Sequence, residues 1–419
     1  MENDIKQIYA ALQIEEDEIK VLVGEYYNTR FNILRVEKGK TKAISDFRIN
    51  NQLELENDIK TVISRANTKL GTKIEKVILV LPAYNFKRFP LTSSVNIVNG
   101  YVQKEDVARA ITNSLKTKVD ADSMITNPVV IKYIVNGIST RRLPEKEVCD
   151  SMLVDIDLLC CDAPMAYEYV MMVERIGIKV LDICLNNYAI CLEASLLGES
   201  SKKNVVLLDI HNGLTYLTLL SKGKIITTEI IYDGLNNLTN KVYEKYHFTD
   251  EVMMRLIKYI VDFNESEECV VYSWNSNDKQ ENITNVELSS LVAEPLNNYV
   301  EKIISMCKPI IDSGETSIVV TGPGQNMKAL MDKLKDLSGV DVRGYYPDTI
   351  GIRDSNLVAL YGAFVAYKNK ADLNNFNVSC VDLLEYDNVI NKHVFDKDGA
   401  TITTKIKNFF MQYMSKEEE

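Results

Sequence analysis

Three short stretches carry residue types able to handle a phosphate and its metal. The first is Val205-Val206-Leu207-Leu208-Asp209-Ile210-His211-Asn212-Gly213, an apolar run ending in an acid and a turn, after which Leu214-Thr215-Tyr216-Leu217-Thr218-Leu219-Leu220 returns. Asn-Gly between two apolar runs marks a hairpin, because both residues tolerate positive φ. An acid at the end of a buried strand suits a metal-bound phosphate when the adjoining turn is rich in glycine, so that backbone N–H groups approach the ligand. Here that turn reads Asp-Ile-His-Asn-Gly-Leu-Thr-Tyr: the scaffold is kept and most of the chemistry is replaced. The second stretch is the acidic turn Glu15-Glu16-Asp17-Glu18. Like charges a few ångströms apart cost about 1 kcal/mol per pair even in a water-like dielectric, so four carboxylates facing a polyphosphate repel it. A divalent ion bridging acid and phosphate offsets part of that cost and leaves weak, magnesium-dependent binding open. The third is Ser317-Ile318-Val319-Val320-Thr321-Gly322-Pro323-Gly324, a strand running into a glycine turn in which Pro323 fixes φ and offers no N–H.

The elements that must hold these stretches follow from periodicity. Residues 8–14 and 19–25 flank the acidic turn as a hairpin, and 31–36 adds a third strand. Residues 57–70 carry helical spacing in Ile59, Val62, Ile63, Ala66 and Leu70, and Lys-Val-Ile-Leu-Val-Leu-Pro at 76–82 is a run short enough for a buried strand. Strands, a helix and a buried strand describe the opening half of a ribonuclease-H-like lobe. Acids in the first turn of Gln103-Lys104-Glu105-Asp106-Val107-Ala108 suit a helix start. Residues 240–258, with 250–260 also read as a helix by itself, and 294–308 read as helices, the latter with Leu296, Val300, Ile303, Ile304 and Cys307 on one side, whereas 264–285 is polar and unassigned. From 369 to 401 the chain turns rich in Asn and Asp and loses periodicity, as a linker does. Beyond it, Ile402, Ile406, Phe409, Phe410, Tyr413 and Met414 place six apolar groups on one helical face, flanked by Lys405 and Lys407 whose stems can snorkel.

Composition sets the outer bounds. A chain of 419 residues exceeds one compact core and suits two lobes or two to four domains. A net charge of −11 argues against a nucleic-acid surface. No apolar run of transmembrane length occurs, and Met1-Glu2-Asn3-Asp4 lacks the basic and apolar regions of a signal peptide. The eight cysteines are irregularly spaced without a C-x-x-C pair, which predicts free buried thiols in a reducing cytosol. Three histidines, far apart, argue against a His-based metal site or a nucleophilic triad.

Residues 11–25 fall in step with the first phosphate motif of FtsA, a bacterial cell-division family of the actin-like superfamily, which runs Leu-Asp-Ile-Gly-Thr-Ser-Lys-Ile-Lys-Ala-Leu-Val-Gly-Glu. Leu12, Ile14, Ile19, Lys20, Leu22, Val23, Gly24 and Glu25 match without a gap, while Gln13, Glu15, Glu16, Asp17 and Glu18 replace the acid, glycine, hydroxyl and lysine positions. Ser93-Ser94-Val95-Asn96-Ile97-Val98-Asn99-Gly100 resembles the family's inserted αβ subdomain, Gly234-Leu235-Asn236-Asn237-Leu238-Thr239 its Gly-Gly-x-x-Ile-Thr motif, and Thr321-Gly322-Pro323-Gly324 its Thr-Gly-Gly-Gly adenosine turn. Met253-Met254-Arg255-Leu256-Ile257 stands where the family has Ala-Glu-x-Leu-Lys contacting the ribose. The resemblance spans about residues 8–368 and the tail. It implies a two-lobed actin-like α/β fold: first-lobe core at 1–83 and 166–202, inserted subdomain at 84–165, second-lobe core at 203–236 and 315–368, a further subdomain at 237–314, linker at 369–401 and an amphipathic membrane-targeting helix at 402–416.

The same resemblance implies a division scaffold that tethers filaments of the tubulin-like protein FtsZ to the cytoplasmic membrane and assembles into protofilaments. No catalytic or dedicated metal residue is assigned. A nucleotide, as weak Mg-ATP binding if any, would meet Asp209, Gly213, Thr215, Gly234, Gly322 and Gly324. Asn298, Lys302 and Lys308 are the positions suited to the acidic FtsZ C-terminal peptide, and Ile402, Lys405, Ile406, Phe409, Phe410, Tyr413 and Met414 to lipid. One such helix attaches reversibly, Glu417 to Glu419 weaken its attraction to anionic lipid, and polymerisation converts weak tails into avid binding. Alternatively the helix docks back on its own protein. Two other functions share this fold: an actin-like platform of pilus assembly, lacking a lipid anchor of its own, and an active ATPase or sugar kinase, which the acidic turn argues against.

Overall fold

A computed structural model describes residues 6–396 apart from 28–29, 266, 277–278, 348–353 and 375–377. The first lobe opens with β1 (Gln7–Ile14), β2 (Glu18–Tyr27) and β3 (Arg30–Lys40), a minimal hairpin β4 (Ile44–Ser45) and β5 (Arg48–Ile49), helix α1 (Gln52–Leu70) and β6 (Lys76–Leu81). Every residue of β1 is buried, because the strand sits mid-sheet with β2 antiparallel on one side and β6 parallel on the other. Helix α1 starts where the Asn51 side chain accepts the N–H of Glu54 and stops at Gly71 in the left-handed region; Leu55, Ile59, Val62, Ile63, Ala66 and Leu70 form its buried stripe.

The chain then leaves the lobe for a separate sheet made of β7 (Lys87–Asn96), β8 (Ser123–Val135), β9 (Ile138–Thr140) and β10 (Ser151–Asp162), with helix α2 (Lys104–Ser114) laid on it through Val107 and Ala110. It returns through α3 (Ala163–Arg175), β11 (Lys179–Leu185), α4 (Asn186–Glu193) and the short α5 (Leu196–Glu199). Strand β11 pairs parallel with β6, giving the sheet order β11-β6-β1-β2-β3.

The second lobe repeats that plan. Strands β12 (Asn204–Ile210), β13 (Thr215–Ser221) and β14 (Lys224–Ile231) form an antiparallel meander. Helices α6 (Leu235–Tyr246) and α7 (Asp250–Ile260), hairpin β15 (Val270–Ser276) and β16 (Lys279–Thr284), and helix α8 (Asn285–Ile311) lead to β17 (Thr316–Thr321), α9 (Lys328–Ser338) and β18 (Asp341–Gly344). The order β14-β13-β12-β17-β18 mirrors the first sheet. Strand β12 is apolar throughout because both its faces are covered: Val205 and Leu207 join the first lobe's core, while Val206 and Leu208 pack with the layer of α6 to α9. Helix α10 (Val358–Asn374) lies against α4 and β1, and α11 (Leu383–Asp396) ends the described chain.

Four readings change. The helix expected over 240–258 is two helices, because His247 takes a left-handed conformation (φ 53°) and ends α6. The helix expected from Glu294 begins at Asn285, with Thr284 capping it by accepting the N–H of Glu287, and carries Pro295 and Pro309 within its 27 residues. Half of the unassigned polar stretch is the β15–β16 hairpin. The linker expected over 369–401 holds the end of α10, a backbone graft onto the first lobe and helix α11. The Cys380 N–H donates to the Ile8 carbonyl at 2.7 Å, its carbonyl accepts from Glu75 and Lys76, and Val381 bridges Ile74. Backbone pairing of this kind needs no side-chain periodicity. The amphipathic helix expected at 402–416 lies outside the described residues. The described cysteines are all free; Cys269 is exposed and the others are buried.

The approach of α10 to α4 depends on a missing side chain: a Cβ on Gly362 would overlap the backbone carbonyl of Ala189, whereas one on Gly198 would meet open space. Gly362→Ala is expected to lower unfolding free energy by about 1–3 kcal/mol in denaturant titration, as overpacking does, with Gly198→Ala as the neutral control.

Candidate functional site between the two hairpin turns

The equivalent hairpins of the two lobes, β1–β2 and β12–β13, point their turns at each other across the cleft. At the centre is Lys20, an ammonium carried inward on β2 between Ile19 and the apolar run Val21 to Val23 and 1% exposed. Its Nζ lies 2.7 Å from Glu15 Oε2 and 3.7 Å from Glu18 Oε2. Glu15 also accepts from Gln13 Nε2 at 2.8 Å and stands 3.6 Å from His211 Nδ1 of the other lobe. The opposite ring nitrogen of His211 meets Asp209 Oδ2 at 2.9 Å, and Asp209 Oδ1 accepts from Thr321 Oγ1 at 2.8 Å. Beside this chain of contacts, Asn212 Nδ2 donates to Asp17 at 3.2 Å.

Burial opposes the charge on His211, but the carboxylates of Asp209 and Glu15 outweigh it and push the imidazole up to about 9. Burial likewise opposes ionisation of Asp209, and the adjacent His211, with Thr321 and Lys20, still holds that carboxyl below its ordinary range. Lys20 is raised despite its burial because Glu15 and Glu18 face it. Burial pushes Glu16 and Glu18 upward. The acidic turn is therefore not a bare row of carboxylates. Lys20 answers Glu15 and Glu18, and His211 answers Glu15 and Asp209; among the described residues Glu16 and Asp17 have no ion-pair partner.

The positions expected to meet a nucleotide gather around the end of β12 in differing roles. Asp209 belongs to the ion-paired chain. Gly213 borders a cavity and has open space where a Cβ would be. Thr215 is fully buried, donating to the Asp233 carbonyl at 2.9 Å and sharing a 2.5 Å hydrogen bond with Tyr299 of α8. Gly234, Gly322 and Gly324 let neighbouring backbone close on β12. A Cβ would strike the His211 carbonyl at Gly234, the Ile210 carbonyl at Gly322 (φ +75°) and the Ile210 side chain at Gly324. Pro323 opens a single 3-10 turn, Pro323–Asn326. Asn298, Lys302 and Lys308 lie elsewhere, exposed along α8, with Lys302 Nζ 4.0 Å from Asp233.

Sequence reasoning passed over Lys20 and His211 as ionic partners. The available signals were a lysine inside an apolar strand and a histidine two residues after Asp209, hence on the same strand face. Behind the acids, a cavity of about 160 Å³ is walled by Ile14, Phe47, Pro82, Tyr169, Leu214 and Tyr216. No cluster of His, Cys, Asp and Glu suited to a metal ion occurs among the described residues, and no helix among them is long and apolar enough to cross a membrane.

Because folding raises the His211 pKa from near 6.5 to about 9, its contribution to stability is complete below pH 6.5 and is lost as pH rises through 9. Denaturant titrations across that interval are expected to show a decline in the wild type that is smaller in His211→Gln.

No protein-family model matches the chain. Among curated proteins it is 25% identical over 357 residues to the cell division protein FtsA of Bacillus subtilis, covering 83% of this chain and 80% of that one. It is 21% identical to FtsA of Streptococcus pneumoniae, over 83% of this chain and 77% of that one, and 21% identical to FtsA of Enterococcus hirae, over 96% and 98%. Among solved structures, a chain of the PilM-PilN type IV pilus biogenesis complex superposes with a TM-score of 0.57 at 13% identity, covering 85% of this chain and 98% of that one. MreB5 of Spiroplasma citri bound to ADP superposes with a TM-score of 0.53 at 12% identity, covering 88% and 99%. The duplicated sheets and facing hairpins thus form an actin-like fold, and in sequence the chain is similar to FtsA proteins at 21–25% identity.

Proposed function

We propose that this protein is a cell-division scaffold that tethers FtsZ filaments to the cytoplasmic face of the membrane at the division site, and that it assembles into actin-like protofilaments with weakened or lost ATP binding. The similarity to FtsA proteins of three bacteria, spanning both lobes, supports the division role.

One observation carries the nucleotide half of this reading: the two turns that would hold a phosphate between them hold each other, through Glu15 to His211 and Asp17 to Asn212. Polyphosphate needs N–H donors and cations free to turn toward it. Here Lys20 and His211 already face carboxylates, Pro323 withholds a donor, and a cavity of about 160 Å³ is too small for a nucleoside triphosphate. The cleft residues do not fit Mg-ATP, and the direct bridge stands in for it in holding the lobes together. Calorimetry with Mg-ATP is expected to give no saturable heat at micromolar concentrations; micromolar affinity would overturn this half.

For partner binding, the exposed α8 face bearing Asn298, Lys302 and Lys308 offers polar and cationic groups to an acidic peptide. Replacing both lysines by Glu is expected to weaken binding of an acidic FtsZ tail peptide about tenfold, with stronger salt dependence in the wild type. For the tail, removing residues 402–416 is expected to abolish co-sedimentation with liposomes. Failure of the intact chain to co-sediment would favour the second reading, a pilus-type assembly platform without a lipid anchor of its own, to which the likeness in fold to a chain of the PilM-PilN complex lends weight.

A further inference from the structure

We propose that the cavity behind the acidic turn is a binding site for a small organic cation, a protonated primary amine on a short apolar or single-ring body. This goes beyond the tethering role and concerns the cleft alone.

The charge argument comes first. Glu16 and Asp17 both border the cavity, and neither has a cationic partner among the described residues. Glu16 receives the backbone N–H groups of Phe47, at a long 3.4 Å, and of Asp46, and Asp17 receives the Asn212 amide at 3.2 Å. Each carboxylate has about four lone-pair positions, so both keep acceptor capacity on the cavity side. The nearby cations do not supply it. Lys20 faces Glu15 and Glu18, and His211 lies between Glu15 and Asp209.

Gln13 gives an independent indication of what is missing. It borders the same cavity and is 4% exposed, and its Nε2 is spent on Glu15. Its Oε1 is buried and has no hydrogen-bond partner among the described residues. Buried acceptors are nearly always matched, so this oxygen calls for a donor that the described protein groups do not supply. Gln13 Oε1, Glu16 and Asp17 together offer acceptors to an incoming group. An ammonium has three donors and no acceptor, the complement of that set, whereas phosphate oxygens duplicate it.

The walls limit the body attached to that ammonium. Phe47, Tyr169 and Tyr216 present aromatic surface, which accommodates a flat or aliphatic group and attracts a cation held over a ring face. At about 160 Å³ the space suits a small molecule. A divalent metal is a poorer occupant, because the described residues form no ligand cluster for one.

The test is isothermal titration of the full chain with butylammonium and with 2-phenylethylammonium, each beside its uncharged alcohol, 1-butanol or 2-phenylethanol. Saturable binding of at least one amine is expected, with its alcohol about tenfold or more weaker and the amine's affinity falling with added salt. The isosteric double variant Glu16→Gln, Asp17→Asn is expected to lose about tenfold in amine affinity. Failure of both amines to saturate, equal binding of amine and alcohol, or unchanged affinity in a folded double variant would each overturn the proposal. The amine–alcohol comparison on the wild type decides the matter even if the variant does not fold. Mg-ATP titrated separately reads the nucleotide proposal by itself, so the two fail independently.

Discussion

The burial of one ammonium group constrains the rest of the cleft. Taking Lys20 out of water carries a desolvation penalty of several kcal/mol, which only close, well-placed carboxylates offset. Glu15 and Glu18 are those carboxylates, and they are adjacent to it because the turn reverses the chain over exactly the acidic run. Glu15 is then shared with His211 of the second lobe, and His211 with Asp209, so the need to neutralise a charge in the first lobe reaches the core strand of the second. Glu15 of the turn is thereby part of a salt-bridged joint between lobes.

That joint forms because the two lobes are built alike. Each sheet runs three antiparallel strands into two parallel ones, which places the first hairpin turn of each at the same end of its sheet. Bringing β12 close to the turn after β17 requires glycine at Gly322, whose positive φ and lack of Cβ admit the Ile210 carbonyl and the Asp209 carboxylate. Gly322 and Gly324 thus serve the packing of the backbone against Ile210. Thr215 likewise has a structural part, linking β13 to Asp233 and to Tyr299 of α8, the helix that also carries Lys302.

The end of the described chain is also bound to the first lobe. Ser379 and Cys380 bond to the backbone of β1 at Ile8, and Lys6 lies over the ring of Tyr386 at 4.9 Å. The start of α11 is thereby held beside the edge of the strand that leads into the acidic turn. Helix α10 reaches the same strand from the other direction through Phe364 and Tyr367, which meet Tyr9 in tilted and edge-on contacts.

The sequence by itself determined the strands, the two hairpins and the glycine turn, because apolar runs and an Asn-Gly step are local signals that survive divergence. It also supplied the family likeness and the replacement of phosphate-handling positions by acids, each read from the order of residues. Tertiary structure alone decided what those acids do. Lys20 meets Glu15 within its own hairpin, whereas His211 is a lone histidine until the lobes fold together and place it 3.6 Å from the same carboxylate. The same holds for the stretch from 369 to 396, where Asn-rich composition conceals a backbone pairing with β1 that no side-chain pattern encodes. Periodicity records which face of an element is buried; it does not record which charge, from about 200 residues away, will be waiting there.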